Sequence, residues 1–361
     1  MMGFVLCAAE AVAQTPPKSI ASVLEQAIQQ GSVVGAQILS GSGRQSPKAS
    51  VNLGVLAPDD PRPVTADSMF CIASCSKPLI SAVIFALVDQ QKLNLTTPIG
   101  TWMKDFHQPR ITDGTTTRSP NLRELLSHRG GIYSQKSGLN EVQLKAIRDF
   151  QLTLAQSVEL IRQQPLISIP GKKYAYSGAG YCLVGATAES VSGKPIDTLL
   201  QELLCIPANM ASTTFFPNHR EGTEIASGGF SRSPPPHLLG TEMRLPLVGG
   251  SIHTTAEDLQ KFARMVIAGG AADGTQVLSP RSWTEYVSQP FKEQAYGYGW
   301  TRAAVGSQTT LSHNGSLPPA QAAMRINLVT GKYQIVLWTL ANPANGNLTA
   351  NIRQQVHSAL R

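Results

Sequence analysis

Segments patterned like β-strands sit at both ends of this 361-residue chain, and helical patterns fill the middle. That order restricts the available folds more than any single residue does. Near the start, residues 18–30 carry apolar side chains at i, i+3, i+4 and i+7 and stop at Gly31, which predicts a helix. Val33–Leu39 and Ala49–Val55 then read as strands joined through Gly41-Ser42-Gly43. Near the end, Tyr296–Trp300, Thr309–His313, Gln321–Leu328 and Tyr333–Thr339 read as four more strands, with Gly331 at the last turn and a helix over Leu348–Leu360. Strands so far apart in sequence share one hydrophobic layer only if the two ends of the chain meet. The fold expected is therefore α/β (α+β), an antiparallel sheet flanked by helices with a mainly helical region inserted. Residues 15–70 plus 245–361 form the α/β domain, and 71–244 form the insertion.

Within the insertion, helical patterns cover Leu122–Ser127, Glu141–Leu152, Ala155–Gln164, Tyr181–Val191 and Ile196–Leu204. Pro58–Pro63 reads as a loop, and 210–247, with Pro234-Pro235-Pro236, as a long irregular excursion. Thr255 is the expected N-cap of a helix running to Ala268.

Composition excludes several classes. Hydrophobic residues make up 42% and charged residues 15%, the balance of a folded water-soluble chain. The longest apolar runs, such as Ala82–Val88, are far too short to span a bilayer, so no stable membrane insertion is expected. The formal charge of +7 is scattered in single residues and pairs such as Lys172-Lys173, so no nucleic-acid partner is expected. The five cysteines (Cys7, Cys71, Cys75, Cys182, Cys205) lack metal-site spacing; a Cys182–Cys205 disulfide is conceivable in an exported protein. Residues 1–14, ending in Ala11-Val12-Ala13 before Gln14, resemble a truncated secretory signal and point to a periplasmic or secreted protein.

Chemistry concentrates at Met69–Asp89, around Ser74-Cys75-Ser76-Lys77. If Ser74 opens a helix, Lys77 shares its face and its amine reaches the serine hydroxyl. A hydroxyl is a poor nucleophile until its proton is taken, and a lysine desolvated by apolar neighbours is one of the few bases able to take it. By itself the pattern is better read as an N-cap serine and an exposed lysine. Two more stretches could join it. Tyr176 precedes a glycine-bracketed turn into a helix, and an adjacent ammonium such as Lys77 would lower its phenol. His313-Asn314-Gly315-Ser316 lies on a strand, where Gly315 would admit a substrate backbone and the next amide could face an oxyanion. Read singly, these are a core tyrosine and a surface histidine.

Together, Ser74-x-x-Lys77, Tyr176-Ser177-Gly178 and His313-Asn314-Gly315 resemble the motifs of the penicillin-recognising serine hydrolases. That superfamily includes class C β-lactamases, D,D-carboxypeptidases, D-aminopeptidases and family VIII carboxylesterases. Phe70–Ser74, Leu125–Ile132, Gly249–Leu259 and Tyr296–Trp300 are similar to it as well, so the likeness runs from about residue 20 to the C-terminus. The resemblance implies a β-lactamase/penicillin-binding fold with the active site between the two regions, and no metal or cofactor. It implies Ser74 as the acylated nucleophile, Lys77 as its activator and Tyr176 as proton shuttle. His313 and Gly315 would line the opposite strand, and the backbone N–H groups of Ser74 and Ser316 would hold the oxyanion.

Two positions depart from the family pattern. Gly178 stands where asparagine is usual, and His313 where lysine is usual, which weakens recognition of peptides or β-lactams and favours small esters or amides. The expected activity is hydrolysis of a small ester, amide or peptide through an acyl-serine. The alternatives are a D,D-carboxypeptidase, D-aminopeptidase or β-lactamase acting on cell-wall-type peptides or β-lactams, and, from another class, a non-catalytic scaffold. Intact Ser74, Lys77 and Tyr176 argue against the scaffold.

Overall fold

Seven strands from the two ends of the chain meet in one antiparallel sheet. The computed structural model describes residues 19–43, 49–136, 138–219, 222–229, 243–342 and 346–358. The first segments supply helix α1 (Ile20–Gln29) and strands β1 (Val33–Ser42), β2 (Ala49–Ala57), β3 (Asp60–Pro63) and the short β4 (Phe70–Cys71). After the helical middle come β5 (His253–Thr254), β6 (Ala271–Ala272) and β7 (Thr275–Gln276). The last strands are β8 (Thr301–Val305), β9 (Gln308–Leu317), β10 (Ala320–Asn327) and β11 (Lys332–Leu340). The large sheet has the order β3-β2-β1-β11-β10-β9-β8. Its seam is β1 against β11, with Ile38 opposite Val336. Side chains alternate across it as the pleat requires. Val336 and Trp338 face α1 and α10 (Gly346–Ser358), whereas Ile335 and Leu337 join the larger core on the other face.

The larger core is organised by α2 (Ser76–Asp89), buried at every residue from Ser76 to Leu87. A helix buried on all sides is an interior helix, and only Ser76, Lys77 and Ser81 interrupt its apolar run there. Fully burying side chains such as Leu79, Ile84 and Phe85 contributes roughly 1.5–3 kcal/mol each. On it pack α6 (Gly178–Ser192), α7 (Ile196–Leu200) and α9 (Pro280–Tyr286); α3 (Leu122–Leu126), α4 (Glu141–Arg148) and α5 (Leu154–Arg162) pack on α6, and α8 (Ala256–Ile267) packs on β1 and β11. Thr255 caps α8 by accepting from the Asp258 N–H at 3.1 Å.

Several expectations need correction. Tyr296–Trp300 is not a strand; the strand begins at Thr301. Gly299 has φ +81°, and its Cα abuts the Lys77 backbone so closely that a Cβ would lie 2.9 Å from that carbonyl. The segment is therefore a turn that points Tyr296, Tyr298 and Trp300 into the core. Pro58–Pro63 is not all loop, because β3 pairs with β2 at the sheet edge, where prolines need no ladder partner. The helices over 141–152 and 196–204 end early, at Arg148 and Leu200, the latter running on into a π turn over Gln201–Cys205. None of the four described cysteines, all buried, is in a disulfide, so Cys182 and Cys205 are not joined. Residues 1–14 and Pro234–Pro236 lie outside the described residues.

Candidate active site

Ser74 does not sit inside an α-helix but on a 3₁₀ turn, Ala73–Cys75, that leads into α2. Ala73 before it has φ +46°, a conformation that costs a residue bearing a Cβ on the order of 1–3 kcal/mol unless its surroundings impose it. They do impose it. The Ile72 N–H bonds to the Ile252 carbonyl at 2.9 Å, and β4 pairs with β5. Ser76 Oγ donates to the Ala73 carbonyl at 2.6 Å and accepts from the Ile252 N–H at 3.2 Å. Ser76, which the sequence presents as a spacer in Ser-x-x-Lys, is the clamp that ties the turn to residues 249–254. The Ser74 turn thereby lies at the positive end of the α2 dipole, which favours developing negative charge.

Lys77 is 1% exposed. Its Nζ lies 3.2 Å from Ser74 Oγ and donates to the Gly249 carbonyl at 2.7 Å, and no carboxylate pairs with it among the described residues. Burial pushes its pKa down to about 7. A neutral amine here keeps one N–H on Gly249 and turns its lone pair to the serine hydroxyl, the geometry of a general base.

Tyr176 is held by its neighbours. Ala175 N–H bonds to the His128 carbonyl at 2.8 Å and Ser177 N–H to His128 Nδ1 at 3.1 Å. The imidazole packs on the Tyr176 ring with centroids 4.1 Å apart, and Ser177 Oγ caps α6 through the Gly180 N–H. Lys77 Nζ lies 4.8 Å from the Tyr176 ring centroid. The expectation that Lys77 lowers the phenol is overturned. Burial raises Tyr176 well above its ordinary range, and a hydrogen bond with Ser74 offsets only part of that. At neutral pH it is a phenol and not a phenolate, so it can relay or donate a proton but is not the primary base.

Ser74 and Lys77 line a small open cleft, with a cavity volume of about 30 Å³, together with Gln135, Arg148, Gly178 and Ser316. Beyond Ser312, β9 runs past the end of β8 and packs beside the Ala73–Cys75 turn, which brings Ser316 to the cleft. His313 and Gly315 do not line it. The His313 ring is buried, with Nδ1 bonded to the Asn314 carbonyl and Nε2 to the Tyr296 hydroxyl, both at 2.9 Å. Those partners fix a neutral tautomer that donates from Nδ1 and accepts at Nε2. Burial, reinforced by the Lys77 charge, pushes its pKa down to about 3. It holds a tyrosine in place and offers no cation to substrate.

Gly315 serves packing instead of substrate approach, since a Cβ there would lie 2.2 Å from the Ile72 backbone oxygen. Gly315→Ala must push β9 away from the Ser74 turn, and a loss of about 2 kcal/mol is expected. Urea midpoints of the two proteins check this; a midpoint unchanged by the alanine contradicts the contact.

Sequence reasoning missed Gln135 and Arg148, and gave His128 no part beside Tyr176. Gln135 Oε1 accepts from the Gly178 N–H at 2.8 Å, and a Cβ on Gly178 would lie 2.5 Å from Gln135 Nε2. The carboxamide thus occupies the space that a side chain at 178 would need. The absence of a side chain at 178 was the available signal. Among the described residues no cluster of three or more His, Cys, Asp or Glu could hold a metal ion, and no helix is long and apolar enough to cross a membrane.

Residues 20–358 match the family described as Beta-lactamase. The chain is 28% identical over 240 residues to protein Rv1367c of Mycobacterium tuberculosis H37Rv, covering 61% of this chain and 59% of that one. It is 28% identical over 162 residues to esterase EstB of Burkholderia gladioli, covering 43% and 40%. The matches thus span less than two thirds of the length of these relatives. The solved structure of EstCE1, a hydrolase with promiscuous acyltransferase activity, superposes with a TM-score of 0.77 at 21% identity, covering 94% of this chain and 97% of that chain. That likeness is one of fold.

Proposed function

The chain belongs to the Beta-lactamase family, and on that premise we propose that it is a serine hydrolase cleaving small esters or amides through an acyl-Ser74 intermediate. The observation that carries this reading is a buried Lys77 amine, pushed towards neutrality, 3.2 Å from the hydroxyl of a serine that opens onto a cleft.

Ser74 Oγ attacks the carbonyl carbon as Lys77 takes its proton, directly or through the Tyr176 hydroxyl. The backbone N–H groups of Ser74 and Ser316 receive the oxyanion, a contribution of about 3–4 kcal/mol for such a donor. The C–O or C–N bond breaks as the lysine proton, relayed by the phenol, reaches the leaving group. A water then attacks the acyl carbon, gives its proton back along the same route, and Ser74 is freed with the carboxylic acid. The esterase name of EstB supports the ester reading by likeness.

A second reading, an amide- or peptide-cleaving enzyme on D-amino-acid or β-lactam substrates, is favoured by Gln135. Its carboxamide restores to the cleft the amide function missing at Gly178. Intact mass after brief fluorophosphonate exposure, with the adduct mapped by peptide sequencing, tests the common step. A single adduct on Ser74 is expected; an adduct elsewhere moves the nucleophile off Ser74, and none on folded protein removes the hydrolase reading and leaves the scaffold. A panel of p-nitrophenyl esters, D-alanyl peptides and a chromogenic cephalosporin then separates the two substrate readings.

A further inference from the structure

Arg148 ends α4 and its half-buried side chain lines the same cleft as Ser74. The described lining residues include two basic groups, Lys77 and Arg148, and no aspartate or glutamate. Other arginines of the fold have found partners: Arg118 holds Glu124, Arg129 holds Glu293, and Arg353 bonds the Gly315 carbonyl and the Gln321 amide oxygen. Among the described residues, the Arg148 guanidinium has neither an ion pair nor a hydrogen bond. A guanidinium stays charged at any working pH and matches a carboxylate with two parallel N–H donors. Partly withdrawn from water without a counter-ion, it is poised to gain from an incoming anion.

Position sets Arg148 on one side of the cleft. α4 packs against α5 and α6, so Arg148 belongs to the helical wall with Gln135 and Gly178, across from Ser316 on β9. Leu247 and Leu317 supply the apolar lining. We propose that Arg148 is the anion-recognition residue of this cleft, and that the substrates are esters or amides whose acyl portion ends in a carboxylate. This deepens the acyl-Ser74 reading and rests on it. The competing explanation is that Arg148 acts only through Lys77, whose protonation its charge opposes. That role would change all substrates alike.

The test compares kcat/KM for p-nitrophenyl hydrogen glutarate with that for p-nitrophenyl valerate, in wild type, Arg148→Gln and Arg148→Lys. The glutarate-to-valerate ratio is expected to fall about tenfold or more in Arg148→Gln, as for loss of a charge-assisted hydrogen bond, and to recover in part in Arg148→Lys. A ratio unchanged by Arg148→Gln, whether or not both rates fall, overturns the proposal. Calorimetric titration with glutarate alone gives a readout free of turnover: wild type binds and Arg148→Gln does not, whereas equal binding, or none by wild type, counts against the site. Failure of the hydrolase reading is distinguishable, because it shows as absent valerate turnover and absent fluorophosphonate adduct in wild type, while the glutarate titration still decides the anion site.

Discussion

Ser74→Ala lowers turnover of an activated p-nitrophenyl ester by about ten-thousandfold or more, the scale on which removal of an acylated nucleophile acts. The side chain is not part of the clamp that shapes its own turn, which runs through Ser76, Ile72 and Ile252. The nucleophile can therefore be removed without loosening the α2 start. Its Oγ contacts Lys77 Nζ at 3.2 Å, and alanine leaves that amine its bond to the Gly249 carbonyl. Steady-state rates and a thermal melt on the same preparation check both halves. A variant that melts like wild type yet keeps activity within tenfold would place the nucleophile elsewhere.

Lys77→Met is the second large effect, with opposite signs for rate and stability. Removing the base lowers kcat/KM on the same ester by about a thousandfold. In wild type the active form is the neutral amine, so activity rises with pH through about 7, and methionine abolishes that limb. The stability sign follows from linkage. The lysine pKa is near 10.5 in the unfolded chain and about 7 when buried, so between those values the unfolded state binds more protons. Wild-type stability accordingly gains from this residue as pH rises from about 7 towards 10.5, and below 7 the folded chain carries the full cost of a buried charge. Methionine fills a similar volume without that cost, so the variant is expected to be more stable by a few kcal/mol at pH 7. The advantage shrinks as pH rises. Urea melts at pH 6, 7 and 9 read this directly; a variant less stable than wild type at pH 6 would contradict a buried amine without a counter-ion.

The Tyr296–Trp300 segment shows where local pattern misleads. Its alternating aromatics read as a strand, but a left-handed Gly299 pressed on the Lys77 backbone turns it into a wall of the core. His313 shows the same limit in chemistry. The motif is visible in sequence, whereas its neutrality comes from burial and from the Lys77 charge, which no local window reports.

What the sequence determined by itself was whatever depends on local periodicity and on motif order. Strand patterns at both ends required the ends to meet, apolar residues at helical spacing after Lys77 marked a helix, and Ser74, Lys77 and Tyr176 in order pointed to one family. What only the tertiary structure decided was the state of those groups and the company they keep. It pushes Lys77 towards neutrality and keeps Tyr176 protonated, makes Ser76 and His128 the supports of the site, and brings Gln135 and Arg148 to the cleft from elements with no motif of their own. The physical reason is that desolvation and hydrogen-bond partners are set by segments remote in sequence, and these, more than residue identity, fix where a proton resides.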